Sequence, residues 1–201
     1  RPTANNRWGN QVTVLVGDWL YSRTMDLCLE VGDVEVMRRL VTATLLMTEG
    51  EILADRVRGS IDVSDEQYME ITQRKTAELF AAACSLPALF DPSTLHLEPV
   101  LRDFGLDLGV CFQLVDDLLD FTGDRRQVGK PVMADLREGR ATLPIILLRD
   151  RSADPGLGRR LADVAATGRF DAIGEGEVLE LLRAHGTLEI ARQRARSYAE
   201  R

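Results

Sequence analysis

"FQLVDDLLDF", residues 112–121, sets Asp116, Asp117 and Asp120 into a run that is otherwise apolar apart from Gln113. An α-helix turns about 100° per residue; with Asp116 at zero, Asp120 lies at about 40°, Gln113 at about 60° and Asp117 at about 100°. The four polar side chains share one arc. Phe112, Leu114, Val115, Leu118, Leu119 and Phe121 take the rest of the circumference, the pattern of a central helix apolar around most of its girth. A solvated face would mix in Lys or Arg at i+4, and this stripe carries no cation. Asp is also a poor helix former, and close like charges repel. Oxygen ligands gathered in one turn suit Mg²⁺, which keeps several waters and bridges carboxylate to phosphate. A di-iron bundle is the obvious rival, but it needs paired Glu-x-x-His motifs, and neither His96 nor His185 stands three residues after a Glu.

The rest of the composition narrows the setting. The chain has 201 residues, 45% hydrophobic and only 5% aromatic, which suits a single domain of packed helices, residues 1–201. The net charge of −7, with its basic residues scattered, argues against a nucleic-acid partner. No apolar run approaches the roughly 18–20 residues of a membrane span, and "RPTANNRWGN" has no apolar signal-peptide core. Cys28, Cys84 and Cys111 are expected to be buried reduced thiols, which places the protein in the cytoplasm; without a CxxC pair, zinc is not expected.

Helical periodicity predicts helices over 8–31, 33–57, 64–86, 97–122, 142–151, 175–184 and 187–200, with Gly32 and Asp33 ending the first and capping the second, Ser64 and Gln67 forming a capping box and Thr187 as an N-cap. Residues 123–140 read as an ordered but irregular loop. With no alternating pattern of useful length, the fold class is all-α. A second polar cluster accompanies the Asp stripe. Lys75 and Thr76 lie in the third helix, Lys130 follows Gly129 just past the Asp-rich turn, and Arg140 follows Gly139 with Asp135 between. Carboxylates holding Mg²⁺, with Lys and Arg beside them, make a diphosphate clamp. A metal ion lets an acidic protein bind an anion.

"FQLVDDLLDFTGD" followed by "GKPVMADLREGRATLPIILL" resembles the second half of the trans-prenyltransferases, the polyprenyl diphosphate synthases. "NNRWGNQVTVLVGDWLYSR", "KTAELFAAAC" and "HGTLEIARQRA" are similar to other segments of that family in the expected order, so the resemblance covers nearly the whole chain. It is strongest to the octaprenyl-type, long-chain bacterial enzymes. It implies an antiparallel helical bundle around a central cavity, Mg²⁺ as cofactor, and head-to-tail condensation of isopentenyl diphosphate with an allylic diphosphate. It also implies a homodimer joined through long helices, with residues 8–31 as the candidate surface. Carried over, Asp116, Asp117 and Asp120 match the second Asp-rich metal motif, with Asp116 and Asp120 as direct ligands. Lys75, Thr76, Gln113 and Lys130 match residues that bind and activate the diphosphate, and Arg140 stands where many members have Lys.

The family's first Asp-rich motif, with its Arg pair, precedes the segment "PTAN", and this sequence begins at Arg1. The expectation is therefore a synthase incomplete at both ends, inactive in condensation by itself. The alternatives are a non-catalytic partner subunit and, more remotely, an ionising terpene cyclase.

Overall fold

The structure is a computed structural model, and it describes residues 3–122 and 132–201. Two compact units make it up, Arg1–Thr42 and Ala43–Arg201. Every regular element among the described residues is helical.

In the first unit, α1 (Ala4–Val31) is interrupted at Gly9, whose φ of 80° and ψ of 163° are not helical. It ends at Gly32 in the left-handed region (φ 73°), with the Gly32 N–H donating to the Leu29 carbonyl at 3.0 Å. Asp33 then accepts from the Glu35 amide at 2.7 Å and starts α2 (Val34–Arg56). This is the stop-and-restart that Gly32 and Asp33 predict. No residue of α1 is buried; Trp8, Val12, Leu15 and Trp19 are all exposed.

In the second unit, α3 (Asp65–Thr72) opens with the expected capping box: the Gln67 amide donates to Ser64 Oγ at 3.2 Å, and the Ser64 amide to Gln67 Oε1 at 3.0 Å. Ser64→Ala removes one acceptor and should cost about 1 kcal/mol, a fall of about 2–4 °C in Tm by circular dichroism. A Tm within half a degree of wild type would show the box to be idle. The helix predicted to run unbroken to residue 86 instead passes through a π turn, Gln73–Ala77, before continuing as α4 (Glu78–Ser85). Two short 3₁₀ turns, Leu86–Leu89 and Leu95–Leu97, lead to α5 (Glu98–Thr122), which carries the Asp stripe. After α5 come the one-turn α6 (Ala134–Arg137), α7 (Leu143–Arg151), α8 (Leu157–Thr167), α9 (Glu175–Ala184) and α10 (Thr187–Ala199).

α5 packs along α4 on one side and along α10 on another. Its approach to α4 depends on glycine. A Cβ on Gly105 would sit 2.6 Å from the Ala81 Cα, and one on Gly109 would sit 2.5 Å from the Ala77 Cα. Only a hydrogen at those positions permits the contact. Leu114 and Leu118 bury from α5 against Leu143 and Ile146 of α7 and Ala191 and Ala195 of α10. A second cluster gathers Leu148, Leu161, Val164 and Leu182 from α7, α8 and α9.

Besides the π turn, and α6 where an irregular loop was expected over 123–140, four sequence expectations need correction. α5 is not buried around its girth: Phe112, Val115 and Leu119 are exposed, because its neighbours among the described residues, chiefly α4, the π turn and α10, leave that face uncovered. α8 was not expected, although Leu157, Leu161, Val164 and Ala165 form a buried i, i+4, i+7, i+8 face between Gly156 and Gly168. Thr187 is the first helical residue of α10 rather than its cap. Gly186 caps it at φ 66°, and the fully buried Thr187 hydroxyl donates to the Leu182 carbonyl at 3.2 Å. Cys28, Cys84 and Cys111 are free as expected but only half-buried.

Candidate functional site

The stripe on α5 enters a cleft of about 300 Å³ lined by Lys75, Thr76, Gln113, Asp116, Asp117, Asp135, Arg140 and Thr142. Its three carboxylates, equivalent in the sequence, have three different surroundings. Asp116 is exposed to the cleft and, among the described residues, forms no hydrogen bond or ion pair. Asp117 is 4% exposed, and both its oxygens are taken: Tyr68 O–H donates to Oδ2 at 2.6 Å and Gln113 Nε2 to Oδ1 at 2.8 Å. Asp120 is half-buried and holds the returning chain. The Ala134 and Asp135 amides donate to its two carboxylate oxygens at 2.9 and 3.1 Å, and the Met133 amide to its backbone carbonyl at 3.0 Å. Met133 adopts φ 58°, an uncommon conformation for a non-glycine residue, and its buried side chain anchors it there. The carboxylate at the first turn of α6 also suits the helix dipole.

Lys75 and Thr76 sit within the π turn. On one side α2 comes against it so closely that a Cβ on Gly50 would lie 2.5 Å from the Lys75 nitrogen. On the other side lies Gly109 of α5, against Ala77. A π turn widens the helix by one residue and commonly marks a functional position. Here it carries two cleft residues. The Thr76 hydroxyl donates to Gln113 Oε1 at 2.9 Å. The Lys75 ammonium pairs with Glu51 at 2.5 Å; both side chains are over one-third exposed, and such a pair is worth about 0–1 kcal/mol. An incoming anion can therefore draw Lys75 away at small cost.

Anchored by Asp120, the segment after residue 132 brings Asp135, Arg140 and Thr142 to the opposite wall. Arg140 is committed to carboxylates: its Nε and Nη2 donate to Asp135 Oδ1 at 3.0 and 2.7 Å, and Nη2 also meets Glu138 at 2.6 Å. The buried Thr142 hydroxyl has no hydrogen-bond partner among the described residues. Lys130 lies outside the described residues. The structure thus brings Lys75, Thr76, Gln113, Asp116, Asp117 and Arg140 to one cleft, while Asp120 supports it from behind.

Burial raises the Asp117 carboxyl to about 6 from 3.8; the hydrogen bonds from Tyr68 and Gln113 oppose this, and the nearby Asp135 and Asp116 charges add to it. Burial likewise raises Asp120, against the amides of Asp135 and Ala134. Burial and the Asp117 charge push the Tyr68 phenol well above its usual value. Asp117 therefore binds its proton more tightly folded than unfolded. Its contribution to stability is full below about pH 4 and is lost as pH rises through about 6. The span is on the order of 3 kcal/mol. In metal-free protein, Asp117→Asn should remove this component, so between pH 4 and 7.5 the variant should gain about 6 °C or more in Tm relative to wild type. Parallel Tm curves for the two proteins would contradict it.

The family model "Polyprenyl synthetase" matches residues 1–170. The chain belongs to the polyprenyl synthetase family, whose solved members share its all-α fold. It is 36% identical over 201 residues to octaprenyl diphosphate synthase of Escherichia coli (strain K12), covering 100% of this chain and 62% of that relative. The crystal structure of a decaprenyl diphosphate synthase from Rhodobacter capsulatus superposes with a TM-score of 0.88 at 32% identity, over 100% of this chain and 61% of that one. A polyprenyl synthase from Caulobacter crescentus CB15, crystallised with calcium and isoprenyl diphosphate, gives 0.87 at 35% identity over 98% and 60%. The chain spans about 62% of the length of the E. coli relative.

Among the described residues no three His, Cys, Asp or Glu side chains are grouped to enclose a metal ion. Asp116, unpaired among the described residues and in a cleft with cations, nevertheless fits Mg²⁺, which binds through one or two carboxylates plus substrate phosphates and waters rather than in an all-protein cage. No described helix is long and apolar enough to cross a membrane.

Tyr68, Glu51 and Thr142 were not singled out from the sequence. Tyr68 had a usable signal, since it precedes Thr72 and Lys75 by four and seven residues, on the same helix face. Glu51 is one of many surface carboxylates in the sequence, and Thr142 reads as part of a helix start.

Proposed function

We propose that the full-length protein condenses isopentenyl diphosphate with an allylic diphosphate, head to tail, in a Mg²⁺-dependent reaction that yields a polyprenyl diphosphate. The observation that carries this reading is Asp116, a carboxylate without a partner among the described residues, in one cleft with Lys75 and Arg140. The family and the names of its relatives support it.

When bound, Mg²⁺ would neutralise charge on the departing diphosphate. Asp116 would hold it. Asp120, a direct ligand by resemblance, would instead act with Asp117 from behind Asp116: their oxygens already accept four hydrogen bonds, from Tyr68, Gln113, Ala134 and Asp135. Lys75, released from Glu51, Lys130, and Arg140 would steady the diphosphate as the allylic C–O bond breaks and charge moves onto it. The double bond of isopentenyl diphosphate then attacks the allylic carbon, and a proton leaves, with the released diphosphate as the base at hand. Thr76 and Gln113 would orient the polar end of the site. The reading also includes a homodimer built on the exposed apolar residues of α1 and a cytoplasmic location.

The test supplies full-length protein with labelled isopentenyl diphosphate, an allylic diphosphate and Mg²⁺. Label should pass into long prenyl products and stop with EDTA. Incorporation only after a second polypeptide is added would favour the partner-subunit reading. No incorporation with any allylic primer would end the synthase reading.

A further inference from the structure

We propose that Tyr68 is a positioning residue that sets the hydrogen-bonding polarity of Thr76 at the cleft, acting through Asp117 and Gln113. The inference rests on the reading of this cleft as a diphosphate site.

Three hydrogen bonds run in series: Tyr68 to Asp117 at 2.6 Å, Gln113 to Asp117 at 2.8 Å, and Thr76 to Gln113 at 2.9 Å. They join α3, α5 and the π turn, and their direction is forced. An ionised carboxylate only accepts. Asp117 therefore takes the phenol proton on one oxygen and must receive the NH₂ end of Gln113 on the other. That turns the Gln113 carbonyl toward Thr76, and the Thr76 hydroxyl spends its single proton there. What Thr76 retains for the cleft is lone pairs. It can accept from an ammonium or from a water, but it cannot donate to a phosphate oxygen, which is itself an acceptor. Thr76 would thus recognise the donors that accompany a diphosphate rather than the diphosphate itself.

Tyr68 begins this chain. It is 6% exposed, packed in the cluster with Leu114 and Leu118, where a Phe of the same shape would serve packing equally well. The hydroxyl is the part that packing does not need. Without it, Asp117 Oδ2 loses its donor, the carboxylate loses its fixed orientation, and Gln113 is free to turn.

Tyr68→Phe tests this in the intact protein with two readouts. The first needs no ligand: the Gln113 side-chain amide protons, followed by ¹⁵N nuclear magnetic resonance, should exchange with solvent at least about tenfold faster in the variant. The second is calorimetric affinity for inorganic pyrophosphate with Mg²⁺. Tyr68→Phe and Thr76→Val should each weaken binding about five- to tenfold, the worth of one hydrogen bond. The double variant should be no weaker than the singles, because the two residues act as one unit. Effects that multiply, or a Tyr68→Phe protein that binds like wild type, overturn the proposal. Wild-type protein that does not bind Mg²⁺-pyrophosphate defeats the diphosphate reading instead; the amide exchange then decides by itself whether Tyr68 holds Gln113. Should Tyr68→Phe fail to fold, Asp117→Asn probes the same chain with opposite sign. Its amide donates toward Gln113, so Gln113 must turn over and free the Thr76 proton. Metal-free pyrophosphate binding should then rise, and the rise should vanish with Thr76→Val; a rise that persists there overturns the proposal.

Discussion

Asp116→Ala in the full-length protein should lower kcat/KM by about a hundredfold or more, as loss of a group stabilising transition-state charge does, with far-UV circular dichroism unchanged. Asp116 bears none of the fold's weight: it is exposed and has no hydrogen bond or ion pair among the described residues. The neighbouring carboxylates should behave differently. Asp120→Ala frees the Ala134 and Asp135 amides and unfastens the segment that carries Asp135 and Arg140, so activity and Tm should fall together. The contrast is measured by steady-state kinetics beside thermal melts. An Asp116→Ala enzyme with normal turnover would remove Asp116 from the site.

Gly109→Val should destabilise the protein by about 4 kcal/mol, at the severe end of overpacking. The first added carbon would lie 2.5 Å from the Ala77 Cα and 3.0 Å from its Cβ. The obstruction is backbone, which no side-chain rotation relieves, and Val is stiff at χ1. Better helix propensity than Gly returns only about 0.5 kcal/mol. A Tm lowered by about 8–16 °C is expected for a chain of this size. Because Ala77 adjoins Thr76, the same push should break the Thr76–Gln113 hydrogen bond and weaken Mg²⁺-pyrophosphate binding. Gly105→Val, opposed by Ala81 further along α4, should cost similar stability and leave that binding near wild type once the protein is folded. A Gly109→Val protein as stable as wild type would mean that the helices separate freely.

Hydrophobic period and caps made most of the helices legible, because they are local physics. Gly32, Ser64 and the apolar spacing of 97–122 needed no partner to be read. α8 was missed because two glycines and several charges hid a short apolar face. The Asp stripe pointed to the site, but not to the division of labour within it. Three Asp residues in one turn look alike until distant groups arrive: Tyr68 is 49 residues from Asp117, and Ala134 is 14 from Asp120. Those contacts are products of packing. The π turn left no mark in the pattern either, since "QRKTA" is as good an α-helix as any.

That last feature bears on how this protein tolerates changes in length. A π turn houses one residue more than an α turn. Deleting any one of residues 73–77 would let α3 and α4 fuse into a regular helix with sound propensities and no unsatisfied amide, so nothing local would resist it. The flanking turns would keep their register, because the π turn already takes up the extra residue: Tyr68 would still face Asp117, and α4 would still lie against α5. What would go is the widened turn that carries Lys75 and Thr76 at the cleft. Loops usually absorb gains and losses of residues; in this protein a helix interior can lose one too, and the site rather than the fold registers it. Single deletions within residues 73–77 should therefore melt near wild type but bind Mg²⁺-pyrophosphate poorly, whereas a deletion at the exposed turn of residues 91–93 should leave both unchanged.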